Sequence, residues 1–320
     1  MGESHRRVGR AGRLSPARDG CDALYFIRVG NRRWPVSYKT MEVRPIAGAL
    51  GAEIYGVNLK DRDDSLMWGE LRRAFLEYHV IAVRGQDMSP ADMMRVGGKF
   101  GEPCFYPFAK GMEGFPFITE VIKEKHETEN FGNDWHTDTM YLDKPPRATL
   151  LYALETPAKG GDTLYVNTAA AYDALSDGMK KMLDGLIGVN SGGLKYKRGG
   201  PRTAHHSRIG TMALQNADKA DDYESRHPIV RTHPETGRKS LYLSSLHTIC
   251  LDGMTEEESK PLIDWLNDHC VEPEYSCRVH WEPGQLTIWD NRCTMHNAIN
   301  DYHGYRRQMR RLTVGPELPR

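Results

Sequence analysis

The chain has 320 residues, and its 43 lysines and arginines balance 43 aspartates and glutamates. That balance argues against a surface given over to nucleic acid or anionic lipid. With 39% hydrophobic and 27% charged residues it fits a soluble globular protein, not a disordered or membrane-embedded one, and no apolar run nears the roughly 20 residues of a membrane span.

Residues 1–40 differ from the rest. Eight arginines and Lys39 stand against Glu3, Asp19 and Asp22, with little helical periodicity. The segment reads as a basic, disordered extension or as sequence ahead of a true start at Met41. A transit peptide fits less well because Glu3 is acidic, and a nucleic-acid arm is the remaining alternative. The first six residues carry no apolar core, so no secretory signal is expected, and Arg6 breaks the myristoylation pattern.

From Met41 order begins. Met41–Leu59 alternates short apolar runs with Gly48, Gly51 and Gly56, predicting strands joined by tight turns. Asp64 and Ser65 can cap a helix through about Tyr78, with Leu66, Leu71, Phe75 and Leu76 on its buried face. His79–Gly85 reads as a buried strand closed by a turn. Ser89-Pro90 opens a helix ending near Gly98.

Farther along, strand-like segments dominate: 147–154, 163–167, 227–232, 240–244, 275–281, 285–289 and 308–314. Pro234-Glu235-Thr236-Gly237 supplies a hairpin turn. Helices are predicted over 168–186 and 255–270, the second opened by a Thr255…Glu258 capping box. Many short strands with Gly and Pro turns predict a mainly β fold with flanking helices, and a jelly roll is the best candidate. Residues 191–210 read as a mobile loop. The six cysteines are scattered without a CxxC pair, which predicts free thiols and a reducing, cytoplasmic setting.

The sharpest chemical signal is Asn133-Asp134-Trp135-His136-Thr137-Asp138. On a strand, His136 and Asp138 would share a face. Alone, that pair is weak. His296, placed just after the predicted strand ending at Trp289, offers a third donor. Two histidines and a carboxylate are the set that holds non-haem Fe(II) while leaving three positions open. Four arginines lie within 306–311, and alternation puts Arg307, Met309 and Arg311 on one face. Two readings stay open there: a solvated basic edge strand, or guanidinium groups aimed into a barrel, where buried charge demands anions.

With these residues in view, the sequence resembles the Fe(II)/2-oxoglutarate-dependent taurine dioxygenase (TauD/TfdA) family. The resemblance rests on Trp135–Asp138, Gly160-Gly161-Asp162-Thr163, Trp289-Asp290-Asn291-Arg292 with His296, and Arg307 with Arg311. Weaker matches at Ile46–Leu59, Val80–Gln86, Phe100–Pro103 and Tyr172–Leu175 extend it from Met41 to the C-terminus. It implies a double-stranded β-helix over residues 41–320. It implies His136, Asp138 and His296 as iron ligands, Thr163 and Arg307 as the holders of 2-oxoglutarate's distal carboxylate, and O2 as the oxidant. Arg311 would meet an acidic group of the substrate, and Trp289 would line the pocket.

The implied substrate is a small organic acid: a carboxylate, sulfonate or sulfate ester. If the oxidised carbon bears a heteroatom, the product can collapse with bond cleavage. The segment Glu102-Pro103-Cys104-Phe105-Tyr106-Pro107-Phe108 lacks the histidine that taurine-specific members use on the sulfonate, which argues against taurine. Tyr106 and its aromatic neighbours serve either a larger apolar substrate or core packing. An aspartate at 138 argues against a halogenase. The family is commonly oligomeric, so a homo-oligomer is expected, with neither nucleic-acid nor membrane partners. Two rivals remain: a ligand-sensing protein that has lost turnover, and a hydroxylase of a macromolecule, for which the basic segment 1–40 would speak. His205, His206 and His303 read as loop histidines.

Overall fold

The computed structural model describes residues 26–29, 32–35, 37–61, 63–193, 215–216, 219 and 222–320. Most of the basic segment and most of the loop expected over 191–210, including His205 and His206, lie outside the described residues. Two units separate, Met1–Ser37 and Tyr38–Arg320. Within the first, β1 (Phe26–Val29) pairs antiparallel with β2 (Arg32–Pro35).

The larger unit begins with β3 (Glu42–Pro45), β4 (Ala52–Tyr55), α1 (Ser65–Tyr78), β5 (Val80–Val83) and α2 (Pro90–Gly98). Next come β6 (Pro103–Cys104), β7 (Ile118–Lys123), β8 (Pro146–Glu155), β9 (Thr163–Asn167), α3 (Thr168–Ala174) and α4 (Asp177–Leu183). Then β10 (Ile187–Ser191), β11 (Glu224–Pro228), β12 (Val230–Thr232), β13 (Lys239–Leu241) and β14 (Thr248–Leu251) lead to α5 (Glu256–Cys270). The chain closes with β15 (Ser276–Val279), β16 (Leu286–Asp290), β17 (Thr294–Ala298) and β18 (Arg307–Pro316).

These form a jelly roll of two facing sheets. The large sheet runs β3-β4-β5-β16-β8-β18-β6, with β7 added along β18, and the small one runs β15-β9-β17. Side-chain alternation divides the apolar residues into layers. On β8, Ala148, Leu150 and Tyr152 face outward and pack with Met67, Leu71 and Phe75 of α1 and with Met93 and Val96 of α2. Leu151 and Ala153 face inward and meet Tyr165, Val279, Trp289 and Met309 between the sheets. Behind the small sheet, Val166 and Met295 pack on α3, α4 and α5 through Ala171, Leu183, Ile263 and Leu266. The interior between the sheets is thus lined from β5, β7, β8, β16 and β18 on one side and from β9 and β15 on the other.

Helix starts follow local chemistry. Asp64 accepts from the Met67 amide, while Ser89 with Asp92 and Thr255 with Glu258 close reciprocal capping boxes. The α2–β18 contact needs Gly97, because a Cβ there would stand 2.5 Å from Leu312 Cδ2. Helix α1 ends at His79, whose φ of 62° lets its amide close back on Phe75.

The structure departs from expectation in places. Leu66 is exposed, and Met67 takes the buried position one residue later. The helix expected over 168–186 divides, because Ser176 accepts from the Met179 amide and starts a second helix. Strands β6, β7, β10, β14 and β17 fall where no strand was expected, and the β1–β2 hairpin lies in the segment expected to be disordered. The hairpin over 234–237 forms as β12–β13. Among the described residues no helix is long and apolar enough to cross a membrane, and Cys104, Cys250, Cys270, Cys277 and Cys293 are free thiols.

Candidate active site

The segment carrying His136 and Asp138 is not a regular strand, contrary to expectation. His136 makes a single antiparallel bridge to His296, with amide–carbonyl bonds of 3.1 and 2.9 Å, and Asp138 sits in a turn beside Thr139, whose φ is 47°. Thr137 Oγ1 donates to the Thr294 carbonyl at 2.9 Å and fastens that turn to β17. His296 stands within β17 itself, not after a strand. The bridge brings the three side chains together. Asp138 Oδ1 lies 3.7 Å from His136 Nε2 and 3.9 Å from His296 Nε2, and one ligand atom from each residue falls within 4.8 Å of the others.

Those spacings suit one ion. Donors about 2.1 Å from a shared centre stand between about 3 Å and 4.2 Å apart, depending on the angle. His136 Nδ1 lies 2.6 Å from the Asp134 carbonyl, which can only accept. The proton is therefore held on Nδ1, and the Nε2 lone pair faces Asp138. The carboxylate is buried, which by itself raises its pKa. The charge of Arg311, the two imidazoles and a hydrogen bond from Thr149 outweigh burial and hold it below the usual carboxylate range. An ionised acid beside an imidazole with its lone pair turned inward is a donor set ready for a divalent cation.

A cavity opens over this trio, and its wall includes Thr163, Trp289, Arg307 and Arg311. Antiparallel register explains the selection: His296 pairs with Tyr165, Ala298 with Thr163, and Arg311 with Leu151 on the opposite sheet. Arg307 and Arg311 share the inward face of β18, whereas Arg306 turns outward to Glu124 and Glu155. β18 is paired on both sides, by β7 and by β8, so the solvated-edge reading of this strand fails.

Arg307 is buried beside Trp281, its guanidinium 5.3 Å from the ring, and neither Nε nor Nη2 has a hydrogen-bond partner among the described residues. Burial lowers its pKa, partly offset by Tyr302 and Tyr165. A desolvated guanidinium with open donors is costly unless an anion joins it. Nearby, Trp281 Nε1 donates to Thr163 Oγ1 at 2.9 Å, which leaves the hydroxyl proton available to an acceptor in the cavity.

Tyr106 does not line this cavity. It packs under Arg311, whose guanidinium is 4.8 Å from the ring, and borders a neighbouring cleft with Phe105, Met112 and Pro116. Val121, Phe131, Leu151, Tyr165 and Ala298 also line the cavity and were not foreseen. For the four on strands the only sequence signal is side-chain parity, whose inward sense needs the pairing to be known, and Phe131 lies in a turn. Thr149 and Asn291, which touch Asp138 directly or through one hydrogen bond, were missed for the same reason.

Two imidazoles and one carboxylate at the wall of a jelly roll are the donor arrangement of non-haem oxygenases. The chain belongs to the family described as taurine catabolism dioxygenase TauD, TfdA family, which it matches over residues 42–313. It is 34% identical to an alkylsulfatase of Acinetobacter baylyi, covering 87% of this chain and 86% of that protein. It is 32% identical to an alpha-ketoglutarate-dependent sulfate ester dioxygenase of Pseudomonas putida, covering 87% and 91%. Among solved structures, a taurine dioxygenase from Burkholderia xenovorans aligns with a TM-score of 0.72 at 30% identity over 88% of this chain and 91% of that one. AAD-2, solved in complex with Mn(II) and N-oxalylglycine, aligns with a TM-score of 0.71 at 26% identity over 88% and 99%.

Proposed function

We propose that the protein is an Fe(II)- and 2-oxoglutarate-dependent dioxygenase that oxidises a small organic anion, with a sulfate ester as the leading candidate. His136, Asp138 and His296 would hold the iron, which when bound supplies the redox chemistry that couples oxidation of the substrate to conversion of 2-oxoglutarate and O2 into succinate and CO2. Arg307 and the Thr163 hydroxyl would receive the distal carboxylate of 2-oxoglutarate. Arg311 would pair with the substrate's acidic group.

The observation that carries this reading is the inward face of β18, which sets two buried guanidinium groups beside the His/Asp/His trio. A co-substrate anion would meet the open donors of Arg307, and a substrate anion would meet Arg311, which shares its charge with Asp138. N-oxalylglycine, held with Mn(II) in AAD-2, has the same dicarboxylate skeleton as 2-oxoglutarate, which supports the co-substrate assignment. The sulfate ester assignment draws on the alkylsulfatase and the sulfate ester dioxygenase. Hydroxylation of the carbon bearing the ester oxygen would give an adduct that loses sulfate and leaves an aldehyde.

The protein's own contribution is positioning and exclusion of water. Trp281 fixes the Thr163 hydroxyl, and Tyr165 stacks on His296 at 5.8 Å while Trp289 packs tilted against it at 4.8 Å, an apolar surround that would keep water from a bound metal. The test is direct. Supplied with Fe(II), 2-oxoglutarate, O2 and an alkyl sulfate, the protein should release succinate and sulfate in equal amounts, and Asp138→Ala should release neither. Substrate-independent succinate at the same rate in both proteins would sink the assignment.

A further inference from the structure

Asp138 presents its two oxygens to different neighbours. Oδ1 faces the imidazoles of His136 and His296 and the Arg311 guanidinium. Oδ2 accepts from Thr149 Oγ1 at 2.6 Å, and Thr149 Oγ1 in turn accepts from Asn291 Nδ2 at 2.9 Å. Thr149 and Asn291 are both fully buried. The direction of this chain is forced. An amide NH2 can only donate and an ionised carboxylate can only accept, so the single hydroxyl proton points at Oδ2.

The scaffold around the chain is stiff. Thr149 lies in β8 with Trp289 and Thr313 paired on its two sides, and the Asn291 amide donates to the Arg147 carbonyl. Asp138, by contrast, sits in a turn, so strand register does not fix its carboxylate. The Thr149 hydroxyl holds Oδ2, while Arg311 stands 2.9 Å from Oδ1.

We infer that Thr149, braced by Asn291, is a positioning clamp that restricts Asp138 to a single metal bond through Oδ1. This rests on the iron- and 2-oxoglutarate-dependent reading above. A carboxylate can bind one ion through both oxygens, and that would occupy one of the three positions a two-histidine, one-carboxylate set leaves open. A co-substrate that needs two positions, with O2 needing the third, would then face competition from the ligand itself. With Oδ2 engaged by a charge-assisted hydrogen bond, the second attachment is disfavoured.

The experiment compares wild type, Thr149→Val and Thr149→Ser as purified full-length protein without O2. Fe(II) affinity is measured by calorimetry, and 2-oxoglutarate affinity from the charge-transfer absorption of the Fe(II)-loaded protein. Valine keeps the shape and removes the hydroxyl. We expect 2-oxoglutarate to bind about 10- to 100-fold more weakly, a loss larger than any loss of Fe(II) affinity. Serine should restore 2-oxoglutarate affinity to within a few-fold. Unchanged 2-oxoglutarate affinity in Thr149→Val overturns the clamp, as does a parallel loss of both affinities that serine does not repair. If Thr149→Val fails to fold by circular dichroism, Asn291→Ala carries the same comparison, with a smaller shift confined to 2-oxoglutarate. Wild type that binds neither Fe(II) nor 2-oxoglutarate sinks the parent reading and the clamp with it, whereas normal wild-type binding with an indifferent valine variant sinks the clamp alone.

Discussion

Arg311 Nη2 stands 2.9 Å from Asp138 Oδ1, and both side chains are buried. The candidate metal ligand is thus charge-compensated before any cation arrives, and the guanidinium is placed where a substrate anion would be drawn toward the reacting centre. Burial would lower the pKa of Arg311, but Asp138 beside it raises the balance. The pair also links β18 to the His136–Asp138 segment, so site order and fold order are coupled.

Replacing Arg311 with Gln should separate its two tasks. Removing one partner of a buried pair costs about 3–5 kcal/mol of stability, which urea unfolding would read. If Arg311 binds the substrate anion, kcat/KM for an alkyl sulfate should fall about 100-fold or more, the loss of one charged hydrogen-bonded contact. The Kd for 2-oxoglutarate should stay within a few-fold, because Arg307 is untouched. Equal losses for substrate and co-substrate would refute this division between the two arginines.

Trp281→Phe tests the other cradle. Phenylalanine keeps an aromatic face near the Arg307 guanidinium but removes the 2.9 Å donor to Thr163 Oγ1. The freed hydroxyl can rotate, so its proton no longer waits for a carboxylate. KM for 2-oxoglutarate should rise about 5- to 10-fold, in line with one neutral hydrogen bond, with the substrate KM unchanged. Thr163→Val should give a similar or larger rise. If Trp281→Phe and wild type share one 2-oxoglutarate saturation curve, the indole is packing only.

How much of this was legible in the sequence follows from which physics sets each feature. Caps at Asp64, Ser89 and Thr255 are local, and they start helices where expected. Alternation along 307–311 put Arg307 and Arg311 on one face, because a strand's parity needs no partner, but that this face is the inward one follows only from the pairing of β18 with β7 and β8. His136 and Asp138 were placed on a strand, yet the bridge to His296 is one residue long and Asp138 turns away. That conformation is set by contacts between segments far apart in the chain, which periodicity does not carry. Thr149 and Asn291 escaped for the same reason: both look like ordinary buried polar residues until β8, the β16–β17 turn and Asp138 are brought together. Tyr106, open in the sequence between substrate contact and core packing, is buried in a core cluster under Arg311 and borders a neighbouring cleft.

A second buried trio, His79, Asp290 and Cys293, also has the donors and spacing for a metal, but its electrostatics point elsewhere. Arg292 grips both Asp290 oxygens through Nε and Nη2 at 2.7 Å, and His233 Nε2 adds a contact of 3.0 Å. A cation would have to displace a guanidinium in a dry interior. The protein should therefore bind one equivalent of Fe(II) or Mn(II) per chain, measured by elemental analysis after gel filtration. Cys293→Ser should leave that value at one, and Asp138→Ala should bring it close to zero. Two equivalents in wild type, falling to one in Cys293→Ser, would show that the second trio binds metal.

The same trio sets a pH dependence of stability. Burial pushes the His79 imidazole down to about 4. Asp290 pulls it up, but Arg238, His233 and Arg292 oppose that. In the unfolded chain the group titrates near its usual value of about 6.5. Between those values the unfolded state takes up a proton that the folded state refuses, so stability falls as pH drops from about 6.5 to about 4 and is flat in this contribution above and below. Over pH 7 to pH 5 the loss from His79 is about 2 kcal/mol, and His227, lowered by its own burial, adds to it. His79→Asn removes the titrating group while tolerating the φ of 62° at this position. The variant should be less stable than wild type at pH 7, having lost packing and the contact to Cys293 Sγ. Its further loss on moving to pH 5, read by urea unfolding at the two pH values, should be about 2 kcal/mol smaller than wild type's. Parallel losses in the two proteins would mean that His79 does not set the acid limb of the stability curve.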